Sequence, residues 1–120
     1  MPHISKKRPD PQVLKKILFF FKAVVTDLKT EEETASFLDS LLTNTEKLLL
    51  AKRLAMVILI KEGVSETQIV ETLKTTYATV EKMKLMLDKK MGGYQIGLGK
   101  LEQRSDWKKL KKNLLELAGE

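Results

Sequence analysis

The central segment of the chain, residues 44–60, places apolar side chains on nearly every side of a helix. Thr43 and Glu46 form a capping box at its start, and Gly63 ends it. A helix that is apolar all round must be covered all round, and a chain of 120 residues has few other elements to cover it. The segment therefore predicts that a second copy of the chain covers part of this helix. Its apolar members are Leu48, Leu49, Leu50, Ala51, Leu54, Met56, Val57, Ile58, Leu59 and Ile60.

The rest of the chain also has the pattern of helices, and no segment alternates apolar and polar residues as a strand does. We expect an all-α protein of about six helices, with a flexible basic arm over residues 1–10 and one helical domain over residues 11–120. Further helix starts are predicted at Asp10 followed by Pro11, at Thr30 with Glu33, and at Ser65 with Gln68.

The end of the chain divides into two predicted segments. Residues 91–99 contain four of the six glycines and predict a linker or hinge. A C-terminal amphipathic helix is predicted over residues 105–118, capped by Ser105 or Asp106. Residues 100–113 are rich in lysine and arginine, whereas all the charged residues within residues 30–46 are acidic.

Composition limits the class of partner. The formal net charge of +6 favours a polyanion, without proving one. The longest purely apolar run, residues 54–60, is much shorter than the roughly 20 residues of a membrane span. Cysteine is absent, which fits a reducing compartment. We therefore predict a cytoplasmic protein without a membrane partner.

Residues 65–87 have the pattern of a helix-turn-helix. Ile69, Val70 and Leu73 face inward from the first short helix, and Val80 and Met83 from the second. Thr75 is expected beneath the turn. The turn position often occupied by glycine is Lys74, which predicts a positive φ at a non-glycine residue. An ordinary helical hairpin in a bundle is the alternative interpretation.

The outward side of the second helix supplies the candidate DNA-binding residues. Hydroxyl groups can donate to phosphates or base edges, an alanine methyl can contact thymine, a carboxylate can accept from cytosine N4, and lysines suit phosphates. A solvated face would equally explain the lysines, and a carboxylate facing DNA is repelled unless it contacts a base. The candidates are Thr76, Tyr77, Ala78, Thr79, Glu81, Lys82 and Lys84.

Several stretches resemble the Trp repressor-like family, and most closely its YerC/YecD subfamily. The resemblance rests on the stretch from Leu42 to Leu87, and above all on Ala51-Lys52-Arg53, Glu62-Gly63-Val64-Ser65 and Ala78-Thr79-Val80, followed by Gly92-Gly93-Tyr94. It implies an all-helical, intertwined homodimer that binds double-stranded DNA and regulates transcription, as repressors of the family do. That expectation agrees with the need for a second copy around the central helix.

The resemblance also implies a candidate effector pocket. Thr43 and Arg53 match the threonine and the first arginine with which the tryptophan-responsive repressor holds its ligand. Lys82 stands in place of a second arginine, so the planar bidentate fork is lost, and Met86 replaces a serine. A small-molecule effector remains open, but tryptophan is not the expected one. Thr43 is equally explained as a helix cap.

Three other classes of function are weighed against DNA binding. The first is a membrane-surface protein, because the run Phe19-Phe20-Phe21 lies near Lys15, Lys16 and Lys22, but a dimer core is the favoured explanation of these residues. An enzyme is not expected, because the single histidine, His3, lies in the arm and no phosphate loop, dinucleotide fingerprint or nucleophile elbow occurs. No catalytic residue, metal site or cofactor is predicted. A helical protein-interaction module that keeps the fold without specific DNA binding is the main alternative. It is suggested by the acidic residues of the predicted helix that starts at Thr30 and by the outward position of Glu81.

Overall fold

The computed structural model describes residues 8–120, and these residues form seven α-helices with no strand. The predicted all-α class is therefore confirmed, and the number of helices exceeds the predicted six by one. Most of the predicted basic arm lies outside the described residues. The helices are α1 (Pro11–Asp27), α2 (Glu31–Leu41), α3 (Asn44–Lys61), α4 (Glu66–Leu73), α5 (Tyr77–Lys90), α6 (Gly92–Glu102) and α7 (Trp107–Leu117).

The chain divides after Asn44 into two compact units. The first unit contains α1 and α2, and the second contains nearly all of α3 together with α4 to α7. This division differs from the single domain predicted over residues 11–120. The physical reason is burial, because neither α1 nor α2 contains a buried residue.

Local capping explains where the helices begin. The Asp10 carboxylate accepts a hydrogen bond from the amide of Gln12 at 2.9 Å. The Thr30 hydroxyl accepts one from the amide of Glu33 at 3.1 Å, while the Glu33 carboxylate accepts from the amide of Lys29 at 3.0 Å rather than from Thr30. The predicted starts of α1 and α2 are confirmed because these bonds need only neighbouring residues.

The core of the second unit lies between α3 and the helices that follow it. Its most deeply buried side chains are Val57 and Leu59 of α3, Ile69 of α4 and Val80 of α5. Leu98 of α6 joins the same core. Among the described residues, every buried side chain is apolar, so the hydrophobic effect holds this unit together.

The N-terminal half of α3 and much of α1 present apolar side chains to solvent. Leu48 is 55% exposed and Leu54 is 38% exposed, whereas Met56 to Leu59 are buried within the chain itself. In α1, Phe19 is 65% exposed. The predicted all-round apolar helix is therefore covered by its own chain only at its C-terminal half. The other exposed apolar residues of these helices are Val13, Ile17, Leu18, Phe20, Phe21, Val24, Val25, Leu49 and Leu50.

The glycine-rich segment is a helix, and the predicted linker over residues 91–99 is wrong. Residues Gly92–Glu102 form α6, with Leu98 buried and with Tyr94 and Leu101 packed against the core. These three apolar residues recur at helical spacing, so their burial outweighs the low helix propensity of glycine. The segment therefore supplies part of the core.

The last helix is slightly shorter than the predicted residues 105–118. It spans Trp107–Leu117, and Asp106 occupies the N-cap position, but its side chain accepts no capping hydrogen bond. The Asp106 carboxylate instead accepts two hydrogen bonds from the Arg104 guanidinium, at 3.0 and 3.2 Å. These bonds hold the pKa of Asp106 below its ordinary value. Because its carboxylate binds Arg104, the side chain of Asp106 does not cap α7 as predicted.

Candidate nucleic-acid interface

The turn between α4 and α5 is built around a left-handed residue. Lys74 has φ 55° and ψ 52°, and its amide donates to the carbonyl of Val70. The amide of Thr75 donates to the same carbonyl at 3.2 Å. Thr76 then begins α5, with its hydroxyl accepting from the amide of Thr79 at 3.2 Å. The predicted positive φ at Lys74 is confirmed.

A buried apolar wedge holds α4 against α5. Ile69 and Val80 are fully buried, and Met83 is nearly so. Val70 and Leu73 are half-buried and pack against the same core, which agrees with the prediction that both side chains face inward. Two short helices, a three-residue turn and an apolar wedge together form a helix-turn-helix.

Two further hydrogen bonds brace this motif. The ammonium group of Lys52 in α3 donates to the carbonyl oxygen of Lys74 at 3.3 Å. The Tyr77 hydroxyl at the start of α5 donates to the hydroxyl of Thr67 in α4 at 3.0 Å. Both bonds join residues far apart in the chain, so no local pattern predicts them. Lys52 and Thr67 are thus supporting residues that the sequence reasoning missed.

The structure places all the predicted hydroxyl donors at the surface of the first turn of α5, and each of them has a hydrogen-bond partner within the helix-turn-helix. Thr76 and Thr79 share a hydrogen bond of 2.9 Å between their hydroxyls. Tyr77 is half exposed, and Ala78 is exposed beside it. A surface hydroxyl can exchange such a partner for a phosphate oxygen or a base edge, since it can both donate and accept.

A cluster of three charged side chains joins α4 to α5. The Lys84 ammonium lies 2.9 Å from the Glu66 carboxylate in an ion pair. Glu66 also hydrogen-bonds to Glu81, and this contact with a second carboxylate raises the pKa of Glu81 above its ordinary value. Hydrogen bonds from Glu81 and Lys84 lower the pKa of Glu66. Of the two carboxyls, Glu81 is therefore the one that becomes neutral first as pH falls.

The two predicted lysines on α5 differ in their surroundings. Lys84 is half-buried and paired with Glu66, whereas Lys82 is exposed and makes no ion pair within residues 8–120. Lys82 is therefore available to an external anion. The sequence did not predict the ion pair between Glu66 and Lys84, because a separation of 18 residues follows no helical spacing.

The four predicted effector residues are all exposed in their own units. Thr43 belongs to the first unit, and Arg53, Lys82 and Met86 belong to the second. Met86 is 40% exposed. None of the four lines the shallow groove of about 290 Å³ between α4 and the end of α7. That groove is lined by Gln68, Glu71, Thr72, Leu117, Ala118 and Gly119.

The described residues contain neither a candidate metal site nor a candidate membrane-spanning helix. No group of three or more histidine, cysteine or acidic side chains within residues 8–120 is placed to hold a metal ion. Over the same residues, none of the helices combines the length and the apolar character that crossing a bilayer requires.

An exposed helix fixed by a buried wedge to a second short helix defines the class of helix-turn-helix proteins. The family model described as Trp repressor protein matches residues 15–102, which is more than two thirds of the chain. The chain therefore belongs to the Trp repressor family, a family of helical DNA-binding regulators rather than of enzymes. No curated protein and no solved structure matches it. The match ends before α7.

Proposed function

We propose that this protein is a sequence-specific regulator of transcription that binds double-stranded DNA as a homodimer and acts as a repressor. The observation that carries the proposal is the exposed face of α5, held rigidly to α4 by a buried apolar wedge. Membership of the Trp repressor family supports the same function. The finer assignment to the YerC/YecD subfamily stays a prediction, as does a cytoplasmic location.

In this proposal α5 enters the major groove, which is about 12 Å wide and admits one helix. Thr76, Tyr77 and Thr79 donate to phosphates or base edges, and Ala78 contacts a thymine methyl group. Lys82 binds a backbone phosphate. These residues begin the helix, which is the part that reaches base edges in helix-turn-helix proteins.

The charged cluster gives Glu81 and Lys84 different roles in this proposal. Glu81 accepts from the N4 amino group of cytosine when it is ionised. Lys84 contributes little to phosphate binding while Glu66 holds its ammonium group at 2.9 Å. The proposal therefore assigns direct phosphate binding to Lys82 and a bracing role to Lys84.

The homodimer is supported by the apolar surface of α1 and of the N-terminal half of α3. Phe19, Phe20 and Leu48 are each more than half exposed. Monomeric proteins rarely expose apolar patches of such extent, and a second copy of the chain would bury them. An intertwined dimer would present two α5 helices to successive major grooves, about 34 Å apart.

A small-molecule effector is kept in the proposal on the resemblance of Thr43 and Arg53 alone. Lys82 and Met86 replace the residues that would complete a tryptophan pocket, so tryptophan is not the expected effector. Isothermal titration of the protein with tryptophan should show no binding at millimolar concentrations.

Selection of the purified protein against a pool of random-sequence duplexes, followed by sequencing, tests the proposed function. We expect enrichment of a two-fold symmetric site whose half-sites lie one helical turn apart. A variant with Thr79→Ala and Lys82→Ala in the exposed face of α5 is the control, and it should enrich no site. Retention without enrichment would leave only non-specific binding.

A protein-interaction module that keeps the fold is the second candidate. It is favoured by the carboxylates of Glu66 and Glu81, which add negative charge beside the exposed face of α5. This candidate would be supported if the folded protein retained no duplex even at low salt, because nucleic-acid affinity rises steeply as salt falls.

A further inference from the structure

Helix α7 carries exposed lysines and lies beyond residues 15–102, the part of the chain that matches the family model. We propose that Lys108 and Lys109 of α7 form a second DNA-binding surface, which binds backbone phosphates flanking the groove occupied by α5. This inference rests on the proposed function, because it requires that the protein binds duplex DNA. It adds a set of contacts that are independent of base sequence.

Helix α7 is a fixed part of the same compact unit as the helix-turn-helix. Trp107, Leu114 and Leu115 pack against the hydrophobic core, and Ala118 just after the helix is buried. The carbonyl of Gly119 accepts a hydrogen bond of 3.4 Å from the side chain of Gln68 in the first turn of α4. The lysines of α7 are therefore carried on a rigid support rather than on a loose tail.

Three carboxylates around α7, those of Glu62, Asp106 and Glu116, are already paired with other cations. Arg104 binds Asp106 at 3.0 Å, and Lys111 pairs with Glu62 at 3.3 Å. Glu116 lies 4.0 Å from Lys112. Lys108 and Lys109 are exposed and have no ion-pair partner within residues 8–120. Their ammonium groups are therefore free to bind an external anion.

The positions of these two lysines do not favour folding. Both lie in the first turn of α7, which contains no acidic residue, and positive charge is unfavourable near the N-terminus of a helix. Neither side chain belongs to the hydrophobic core. Stability of the fold thus does not explain two adjacent lysines at this point, whereas the phosphate backbone of DNA would neutralise both of them.

Duplex DNA is the partner that the charges favour. The net charge of the whole chain is +6, and two long, exposed lysine side chains near the start of a rigid helix can each reach a backbone phosphate. These contacts carry no sequence information, so they would raise affinity for every site equally. Their signature is therefore a change in salt dependence without a change in the selected sequence.

The test compares the wild-type protein with Lys108→Ala/Lys109→Ala by fluorescence anisotropy on a labelled random-sequence duplex in rising potassium chloride. We expect the double variant to bind about tenfold more weakly, with a slope of log affinity against log salt reduced by up to about 2 per protomer. Lys108→Arg/Lys109→Arg should bind like the wild type, because the charge is kept. The melting temperature of the alanine variant should be unchanged or slightly raised.

The outcomes separate this inference from the proposed function. If the wild type binds and Lys82→Ala weakens it, but the α7 alanine variant keeps the wild-type affinity and slope, the α7 surface is refuted while the proposed function stands. If the α7 variant loses binding only to poly-glutamate and not to duplex, the surface serves an acidic protein instead. If the wild type binds no duplex at low salt, the proposed function fails and this inference fails with it.

Discussion

The ammonium group of Lys52 in α3 lies 3.3 Å from the carbonyl oxygen of Lys74, the left-handed residue between α4 and α5. A positive charge at this point also suits the C-terminal end of α4, where carbonyl groups lack partners within the helix. The contact joins the turn of the helix-turn-helix to the helix that supplies much of the core. Lys74 thus keeps a strained backbone conformation with support from a residue 22 positions earlier.

Replacement of Lys74 by glycine should stabilise the protein. Lys74 is the one non-glycine residue of the described chain with a positive φ, and glycine adopts that conformation without steric cost. We expect Lys74→Gly to raise the free energy of unfolding by about 1 kcal/mol, measured by urea denaturation. Lys74→Ala is the control, because it removes the same side chain and keeps the strain. A gain for alanine equal to that for glycine would contradict the explanation.

Replacement of Gly97 by alanine should also stabilise the protein. Gly97 lies within α6, and a Cβ atom built on it would meet nothing within 4 Å. Alanine favours a helix over glycine by about 1 kcal/mol, so we expect a gain of about 0.5–1 kcal/mol in the free energy of unfolding.

Gly119→Ala is the matched control for Gly97→Ala. Gly119 has φ 84°, and a Cβ atom there would lie 2.9 Å from Nε2 of Gln68, so this variant should be destabilised. If Gly97→Ala were also destabilising, residues 92–102 would not be a stable helix in solution.

Lys82→Ala and Lys84→Ala should affect DNA binding differently. Lys82 is exposed without an ion pair in the described part of the chain, whereas Lys84 is paired with Glu66 at 2.9 Å. We expect Lys82→Ala to reduce the slope of log affinity against log salt by about 1 per protomer, and Lys84→Ala to change it little. Anisotropy titrations at several salt concentrations measure both slopes. Equal losses would show that the Glu66–Lys84 pair opens on DNA.

Acidification should strengthen DNA binding through Glu81. The pKa of Glu81 is raised above the ordinary 4.5 by its hydrogen bond to Glu66, so Glu81 becomes neutral at a higher pH than a free glutamate. A neutral Glu81 no longer repels phosphates. We expect affinity for a duplex of A·T base pairs alone, which offers Glu81 no cytosine to contact, to rise as pH falls toward the raised pKa of Glu81. Glu81→Gln should bind more tightly at pH 7 and lose this dependence, whereas an unchanged profile would exclude Glu81 as its source.

The two carboxyls of this pair should change folding stability in opposite directions across pH. The raised pKa of Glu81 stabilises the fold below pH 4.5, and this contribution is lost as pH rises through the folded-state pKa. The lowered pKa of Glu66 acts in the opposite direction, stabilising the fold above pH 4.5 and losing that contribution as pH falls. Melting temperatures measured over the same pH range show whether a change in DNA binding comes from Glu81 or from a change in folding stability.

A charge at Leu48 should separate the proposed dimer. Leu48 is 55% exposed in the single chain. An aspartate at this position therefore lowers the free energy of unfolding little, unless a partner subunit covers it and buries an unpaired charge. We expect Leu48→Asp to be monomeric by sedimentation equilibrium, while Gln103→Asp, which adds the same charge in an exposed position, stays dimeric. A dimeric Leu48→Asp variant would contradict the proposed interface. Ile58 is unsuitable for this test, because it is buried within its own chain.

Much of the local structure followed from short-range chemistry that the sequence displays. Thr30 and Ser65 cap helices because their hydroxyls need only an amide three residues away. The bounds of α4 and the positive φ of Lys74 were also foreseen, because inward apolar spacing and turn length depend on neighbouring residues. The candidate residues on the surface of α5 could be chosen in the same way.

Contacts between distant residues could not be read from spacing. The pairing of Glu66 with Lys84 and the bond from Lys52 to Lys74 join positions 18 and 22 residues apart. They decide which lysine of α5 is available to a phosphate and how the turn is held. They arise because apolar packing brings α3, α4 and α5 together, and the polar side chains then pair with whatever lies beside them.

The sequence by itself determined the helical class, the starts of α1, α2 and α4, and the helix-turn-helix, because capping and apolar periodicity act over a few residues. Only the tertiary structure decided that the glycine-rich residues 92–102 form a helix, since burial of Leu98 against a distant core outweighs weak local propensity. It also decided that the core of the second unit forms within residues 45–120 and that α1 contains no buried residue, because burial depends on which surfaces meet in three dimensions.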